Sequence, residues 1–225
     1  MMTSALLLVL TSVLILTLWL AVQYQFAEKK TFFQAVGLAV FWLVLLLVVG
    51  RSGILANFSV FPAPFMFFFP CLISFSVFLA YSKFGTVVMQ NVTLANLVLF
   101  QSFRILAEVA LFLALSEGLA PVQMTFEGYN FDIVIGALAL FLGLYFRRNP
   151  GAKLALLFNV LGLVFLVVIA FIALTSMPTP LRIFMNEPSN IWVTGSPYIF
   201  LPGILVLAAI TGHLLIFRKL RSLQA

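Results

Sequence analysis

Three polar residues, Gln101, Arg104 and Glu108, are spaced three and four positions apart inside the apolar stretch 92–115. Residues with this spacing share one face of an α-helix, so the pattern predicts a polar stripe along a single helix. An arginine at the centre of a membrane helix costs about 2.5–3.5 kcal/mol on translocon scales. Arg104 is therefore expected to face the protein interior, with Glu108, one helical turn away, as its predicted partner.

The predicted Arg104–Glu108 pair has two interpretations. Ionisable side chains inside a membrane are rare and mark substrate or ion pathways, which favours a ligand or ion site. A structural clamp that fixes helix packing would have the same sequence pattern. A guanidinium group has five N–H donors, more than one carboxylate can use. We therefore expect backbone carbonyls, Gln101 or polar groups of another helix to accept the remaining hydrogen bonds.

The stretch 121–132, which follows this helix, is dense in polar and aromatic residues. Asn130 is a typical helix cap, and a carboxylate such as Asp132 is favourable in the first turn of a helix. The next apolar segment, 131–146, is short for a membrane span, so its helix is predicted to begin below the surface. Glu127 and Asp132 would then line a recessed vestibule that leads towards the arginine. The predicted ligand-binding residues are Arg104, Glu108, Gln101, Glu127, Asp132 and Asn130.

The composition of the chain indicates what surrounds these residues. Of its 225 residues, 64% are hydrophobic and 8% are charged, and the mean hydropathy is +1.22. A soluble domain carries roughly 25% charged residues. Too few polar side chains exist to cover a water-facing surface, which excludes a soluble enzyme, a disordered protein and, despite a net charge of +6, a nucleic-acid binder. The chain is predicted to be an integral membrane protein in contact with the lipid bilayer.

The apolar residues fall into seven segments that approach the length of about 20 residues that a transmembrane helix needs. The segments are continuous and rich in leucine, whereas membrane strands alternate between apolar and polar residues. We therefore predict an all-α fold, a bundle of seven transmembrane helices that forms one domain over residues 1–225. The predicted helices span residues 4–24, 32–50, 64–81, 92–115, 131–146, 152–175 and 200–217.

The basic residues predict the orientation of this bundle. In the seven-helix arrangement, most of the 12 Lys and Arg residues lie on one side, and only Arg51 and Arg182 lie on the other. The positive-inside rule then places the N-terminus outside and the C-terminus inside. Residues 1–22 contain no basic residue, so this segment is predicted to be a retained helix rather than a cleaved signal peptide. The basic residues on the predicted inner side are Lys29, Lys30, Lys83, Arg147, Arg148, Lys153, Arg218, Lys219 and Arg221.

A short motif runs from the charged helix into the loop that follows it. It consists of Phe103, Arg104, Glu108, Pro121, the sequence MTFEG at 124–128 and NFD at 130–132. This motif resembles one in a group of small uncharacterised bacterial polytopic membrane proteins, and the resemblance covers residues 101–132. That group has a basic residue where Tyr129 stands. The resemblance implies a bacterial inner membrane, that is, the plasma membrane, and implies no known activity.

The leading functional hypothesis is a polytopic inner-membrane protein that binds or passes a small molecule or ion through an outward-facing cavity. In this hypothesis, Arg104 supplies positive charge and Glu108 is its counter-ion and proton carrier. The chain has one His and one Cys, no HExxH sequence and no P-loop, so no metal and no cofactor is predicted.

Two alternatives remain open at this level. An integral membrane enzyme acting on a lipid or isoprenoid would need carboxylates that converge at one depth, and the candidates are Glu117, Glu127 and Asp132. No known motif groups these three residues, so the sequence favours a protein that is not an enzyme. The other alternative is a non-catalytic subunit of a membrane complex, with a membrane-protein partner or a second copy of the chain.

Overall fold

The computed structural model describes residues 3–24, 27–149 and 151–223. Across these residues the chain is helical and contains no β-strand, so the predicted all-α class is confirmed. The helices are α1 (Ser4–Tyr24), α2 (Lys29–Ser52), α3 (Pro64–Tyr81), α4 (Lys83–Asn91), α5 (Leu94–Phe100), α6 (Arg104–Ser116), α7 (Asp132–Tyr145), α8 (Ala152–Thr175) and α9 (Leu207–Ser222).

Six helical stretches in the described part of the chain are long and apolar enough to cross a membrane. Helices α5 and α6 form one of them, Leu94–Ser116, and α9 belongs to the stretch Leu201–Ser222. Stretches of this length and composition are typical of a membrane-embedded protein. Helix α7 has only 14 residues, or about 21 Å of helix, against a hydrocarbon core of about 30 Å. The seventh span and the orientation of the bundle therefore stay predictions.

The structure adds detail that hydropathy does not predict. Helix α4 lies where a simple connection was expected, and the hydroxyl of Ser82 caps it by accepting a hydrogen bond from the amide of Phe84. The predicted fourth helix is divided by a tight 3₁₀ turn, Gln101–Phe103, between α5 and α6. A wider π-helical segment, Leu201–Val206, leads into α9.

Helix α7 packs closely against α5 and α6 through small residues. A Cβ atom built on Gly143 would lie 2.7 Å from backbone atoms of Leu99, and one on Gly136 would lie 2.9 Å from the amide nitrogen of Ile105. Ala139, between the two glycines, is fully buried. Small residues at this spacing let helix backbones approach each other. The close approach brings the beginning of α7 to the 3₁₀ turn.

Helix α7 begins deep in the bundle. Arg104 lies about 15 Å along the helical stretch from Leu94 and about 18 Å from Ser116, and it contacts Asp132, the first residue of α7. The loop 117–131 therefore descends well below the end of α6 before α7 starts. Irregular backbone at membrane depth is tolerated where protein surrounds it. The buried polar and apolar side chains of this loop include Gln123, Met124, Thr125 and Asn130.

Candidate functional site

Arg104 forms a two-pronged ion pair with Asp132. Its Nε donates to Asp132 Oδ2 at 2.6 Å, its Nη2 donates to Asp132 Oδ1, and both side chains are buried. The prediction that Glu108 is the partner of Arg104 is therefore wrong. Asp132 presents two oxygens to the planar guanidinium fork, the geometry that makes such pairs strong. Its place at the start of α7 also favours a negative charge, because the N-terminus of a helix carries partial positive charge.

The other N–H groups of Arg104 are used as well. Nη1 and Nη2 each lie 3.3 Å from the carbonyl oxygen of Gly162, and Nη1 lies 3.0 Å from His213 Nε2. With the two bonds to Asp132, these contacts occupy all five donors of the guanidinium. Arg104 thus joins α6 to α7, α8 and α9, as a structural clamp would.

His213 connects Arg104 to Asn159, a polar residue of α8. Because a guanidinium only donates, His213 Nε2 must accept, and its Nδ1, 2.7 Å from Asn159 Oδ1, must then donate. These partners assign a neutral ring. Asn159 Nδ2 donates to the carbonyl oxygen of His213 at 3.1 Å, so Asn159 bonds α8 to α9. A Cβ on Gly162 would lie 2.3 Å from His213 Cε1, so this helix contact needs a glycine.

Glu108 is as deeply buried as Arg104, and it has far fewer partners. Both of its carboxylate oxygens lie 2.8 Å from one donor, Asn130 Nδ2, and it forms no ion pair with any described residue. Asn130 also donates to Met124 O and accepts from the amide of Asp132 at 3.2 Å. The Asn130 side chain therefore satisfies the first amide of α7, close to its predicted capping role, while it holds Glu108 in place.

A cavity of about 90 Å³ lies beside these charges, lined by Arg104, Glu108, Asp132 and mainly apolar residues. A space of this size accommodates a few water molecules or a small ion. Asn190 also lines the cavity and is fully buried. Its Nδ2 donates to Ala173 O at 3.1 Å, while its Oδ1 has no hydrogen-bond partner. The polar atoms with spare capacity around the cavity are thus oxygen acceptors.

Two loops cover the cavity, one before α7 and one before α9. Gln123 joins them, because its Nε2 donates to Ser176 Oγ at 2.8 Å and its Oε1 accepts from Asn186 Nδ2 at 2.6 Å. Met124 of the first loop and Asn190 of the second both line the cavity. The cover is therefore held together by polar contacts between residues that are distant in sequence.

The remaining predicted site residues lie elsewhere. Gln101 is fully buried, donates to Ala209 O at 3.0 Å and does not line the cavity. Glu127 is exposed and does not line it either. Glu117 accepts a hydrogen bond from the amide of Ala5 at 3.1 Å, at the beginning of α1. The structure thus brings Arg104, Glu108, Asp132 and Asn130 together, and the ligand-binding role of all six predicted residues stays a prediction.

Sequence reasoning missed Gly162 and Asn190. A glycine in a helix interior costs about 1 kcal/mol relative to alanine, so a glycine within the long apolar segment 152–175 is a signal of close helix approach. Asn190 gives no comparable signal, because it is one of several polar residues in a long loop. Its position at the cavity depends on how that loop folds back over the bundle.

Comparison with known proteins gives one family. The family described as Domain of unknown function (DUF8737) matches residues 60–221. The match includes α3 to α8 and nearly all of α9, with every charged residue of the cavity, and leaves α1 and α2 outside. No curated protein and no solved structure matches the chain. The 101–132 motif lies inside the matched region, and a bacterial source stays a prediction.

Proposed function

The chain belongs to the DUF8737 family, and from its own geometry we propose that it binds a small monovalent cation, a proton included, at Glu108 in the mid-membrane cavity. The protein is a polytopic protein of the plasma membrane, and the ion enters from the side of the two covering loops. In the seven-helix arrangement with the N-terminus outside, that side is the outer one.

The charge balance of the buried cluster supports this proposal most directly. Arg104 and Asp132 cancel each other, and His213 is neutral from its hydrogen bonds. An ionised Glu108 therefore leaves one net negative charge in a site shielded from water. An uncompensated buried charge is costly, and the usual remedies are a proton or a counter-ion. The cavity beside Glu108 has room for such an ion.

The polar groups that can still accept a hydrogen bond also favour a positively charged ligand. The carboxylate of Glu108 and Asn190 Oδ1 accept hydrogen bonds or coordinate cations, whereas every donor of Arg104 is already engaged. An anion would find no free donor on the guanidinium. Among the described residues, no group of three or more His, Cys, Asp or Glu side chains is placed to hold a metal ion, which favours a monovalent ion over a transition metal.

This proposal assigns roles that differ from those expected from the sequence. Arg104 pairs with Asp132 and so fixes the start of α7. Its positive charge is used in this pair and does not bind the ligand. Glu108 is the ion-binding group, and Asn130 positions it. The enzyme alternative gains no support, because Glu117 and Glu127 lie outside the cavity.

Thermal unfolding of the purified protein in detergent tests the proposal. Chloride salts of lithium, sodium, potassium and ammonium are compared at constant ionic strength, with choline chloride as the balancing salt, and the series is repeated across pH. A bound cation raises Tm by mass action, because at a hundred times its Kd it adds about 2.7 kcal/mol to the free energy of unfolding. Glu108→Gln keeps the shape of the side chain and should lose this response. Glu127→Gln, which removes an exposed carboxylate, should keep it.

Ion passage is tested with the same variants in sealed vesicles that contain a pH-sensitive or cation-sensitive dye. Wild-type protein and Glu127→Gln should show the same flux, and Glu108→Gln should show none. If Arg104→Leu and Glu108→Gln both retain full cation binding and lose only thermal stability, the buried charges are a clamp and the proposal is wrong.

A further inference from the structure

Helix α2 packs on the bundle over only part of its length. Of its 24 residues, Leu46 and Gly50 are buried, and both lie in the last two turns. Trp42 Nε1 donates to Gly203 O at 2.8 Å, and the carbonyl oxygen of Gly50 accepts from the amide of Ser196 at 3.1 Å. These contacts fix the C-terminal half of α2, whereas no residue of its N-terminal half is buried.

A second cavity, of about 320 Å³, follows the loosely packed half of α2, and its other walls are formed by α1, α3, α4, α5 and α9. Its lining is apolar and rich in aromatic residues, among them Trp19, Phe32, Trp42 and Phe75. Along α2 the lining runs from Phe32 to Leu43, a length of about 17 Å. One leaflet of a bilayer has an apolar depth of about 15 Å, half of the hydrocarbon core. The groove therefore has the depth of a single leaflet.

Basic residues lie next to one end of this groove, since Lys29 and Lys30 begin α2. Lys83 Nζ donates to Gln34 Oε1 of α2, and Arg218 Nη1 donates to Ala80 O at the end of α3. Lys83 Nζ lies 5.4 Å from the ring centroid of Phe84, which lines the groove. Arg218 follows Leu215, another lining residue, by one helical turn. The acidic residue that accompanies them in sequence is Glu28. The lining at the opposite end is apolar, so the groove combines a basic mouth with a hydrocarbon-like interior.

We propose that this groove binds an acyl chain of one anionic phospholipid, whose phosphate lies at the basic end. An apolar space of this size excludes water, and its length fits the hydrocarbon depth of the leaflet in which the basic end lies. Basic pockets between membrane helices recognise anionic lipid headgroups. This lipid site is separate from the cation site at Glu108 and does not depend on it.

Tryptophan fluorescence provides a direct test, because two of the three tryptophans of the chain, Trp19 and Trp42, line the groove. The variant Trp192→Phe leaves only these two. It is reconstituted in phosphatidylcholine vesicles that contain a small fraction of brominated phosphatidylglycerol or, in parallel, of brominated phosphatidylcholine. At equal mole fraction, the anionic lipid should quench several-fold more strongly, and its quenching should saturate.

Two sets of substitutions in this background separate a specific site from general attraction to basic protein. The first set removes the basic end of the groove and should abolish the preference: Lys29→Gln, Lys30→Gln and Lys83→Gln. The second set removes three basic residues from the α7–α8 connection and should preserve it: Arg147→Gln, Arg148→Gln and Lys153→Gln.

Equal quenching by the two brominated lipids would overturn the proposal. So would an equal loss of preference in both substitution sets, because the attraction would then belong to the whole basic surface. If neither lipid quenches, and cross-linking through cysteines placed on α2 yields a dimer, a second copy of the chain fills the groove and the lipid assignment is wrong.

Discussion

The described residues contain two pairs of arginine and carboxylate, and the pairs have opposite surroundings. Arg104 and Asp132 are both buried, and their cluster joins four helices. Arg182 and Glu187 lie in the loop before α9, with Arg182 Nη2 2.9 Å from Glu187 Oε1, and 70% of the Glu187 side chain is exposed. The first pair connects distant parts of the chain, whereas the second closes a short stretch of one loop.

This difference shows what a charge pair does at each place. An exposed pair contributes about 0–1 kcal/mol, because water screens it and holding two long side chains costs entropy. A buried pair also adds little relative to an apolar substitute, but removing one partner is costly because a charge is left behind. Its role is to determine which helices meet. Glu108 has the burial of the first pair without an arginine of its own, which is why we propose that it binds a cation.

The largest effect is expected from Asp132→Leu. This change leaves Arg104 buried without a counter-charge and should reduce the free energy of unfolding by about 3–5 kcal/mol, measured as a loss of Tm in detergent. The double variant Arg104→Leu with Asp132→Leu leaves no charge and should recover much of that stability. A double variant that is less stable than Asp132→Leu would contradict this account of the pair.

Gly162→Ala should have the next largest effect. Its Cβ would lie 2.3 Å from His213 Cε1 and 3.3 Å from Arg104 Nη1, and such overpacking costs about 1–3 kcal/mol. Gly37→Ala in α2 is the matched control, because no atom lies within 4 Å of its added Cβ. That control should be neutral or raise stability by up to about 1 kcal/mol, since alanine is the better helix former. Equal Tm changes in the two variants would show that α8 and α9 are not closely packed at Gly162.

Hydropathy predicts the long helices well because runs of apolar residues are a local property. The predicted spans 4–24, 64–81 and 152–175 have the same bounds as α1, α3 and α8. Helix α4 was missed because it is short and too polar to resemble a membrane span. The bounds of α9 differ because basic residues continue the helix to Ser222, beyond the predicted end of the apolar segment.

The site is less predictable, and Arg104 shows why. An arginine within an apolar helix is conspicuous in the sequence, because its burial is costly. The partner of Arg104 is not conspicuous, because helical spacing favours Glu108 whereas Asp132 is 28 residues away. The choice between them depends on how deep α7 begins, which follows from the packing of Gly136 and Gly143 against the neighbouring helices.

Asn190→Ala should change cation binding more than stability. The variant loses the hydrogen bond from Asn190 Nδ2 to Ala173 O, worth about 1 kcal/mol, together with an acceptor oxygen beside the cavity. The cation-dependent rise in Tm should then need a several-fold higher salt concentration than in the wild type. An unchanged salt dependence would remove Asn190 from the ion site and leave Glu108 alone in it.

The smallest effect is expected from Glu187→Gln. Hydrogen bonds from Arg182, and then from the amide of Ser189, lower the pKa of Glu187 below its ordinary value of 4.5. A carboxylate with a lowered pKa stabilises the folded state above its unfolded pKa and loses that contribution as the pH falls through its folded pKa. Wild-type protein should therefore unfold at a slightly higher temperature than Glu187→Gln at pH 7, and the two should converge in acid. If Glu187→Gln lowers Tm at pH 7 as much as Asp132→Leu does, burial is not what distinguishes the two pairs.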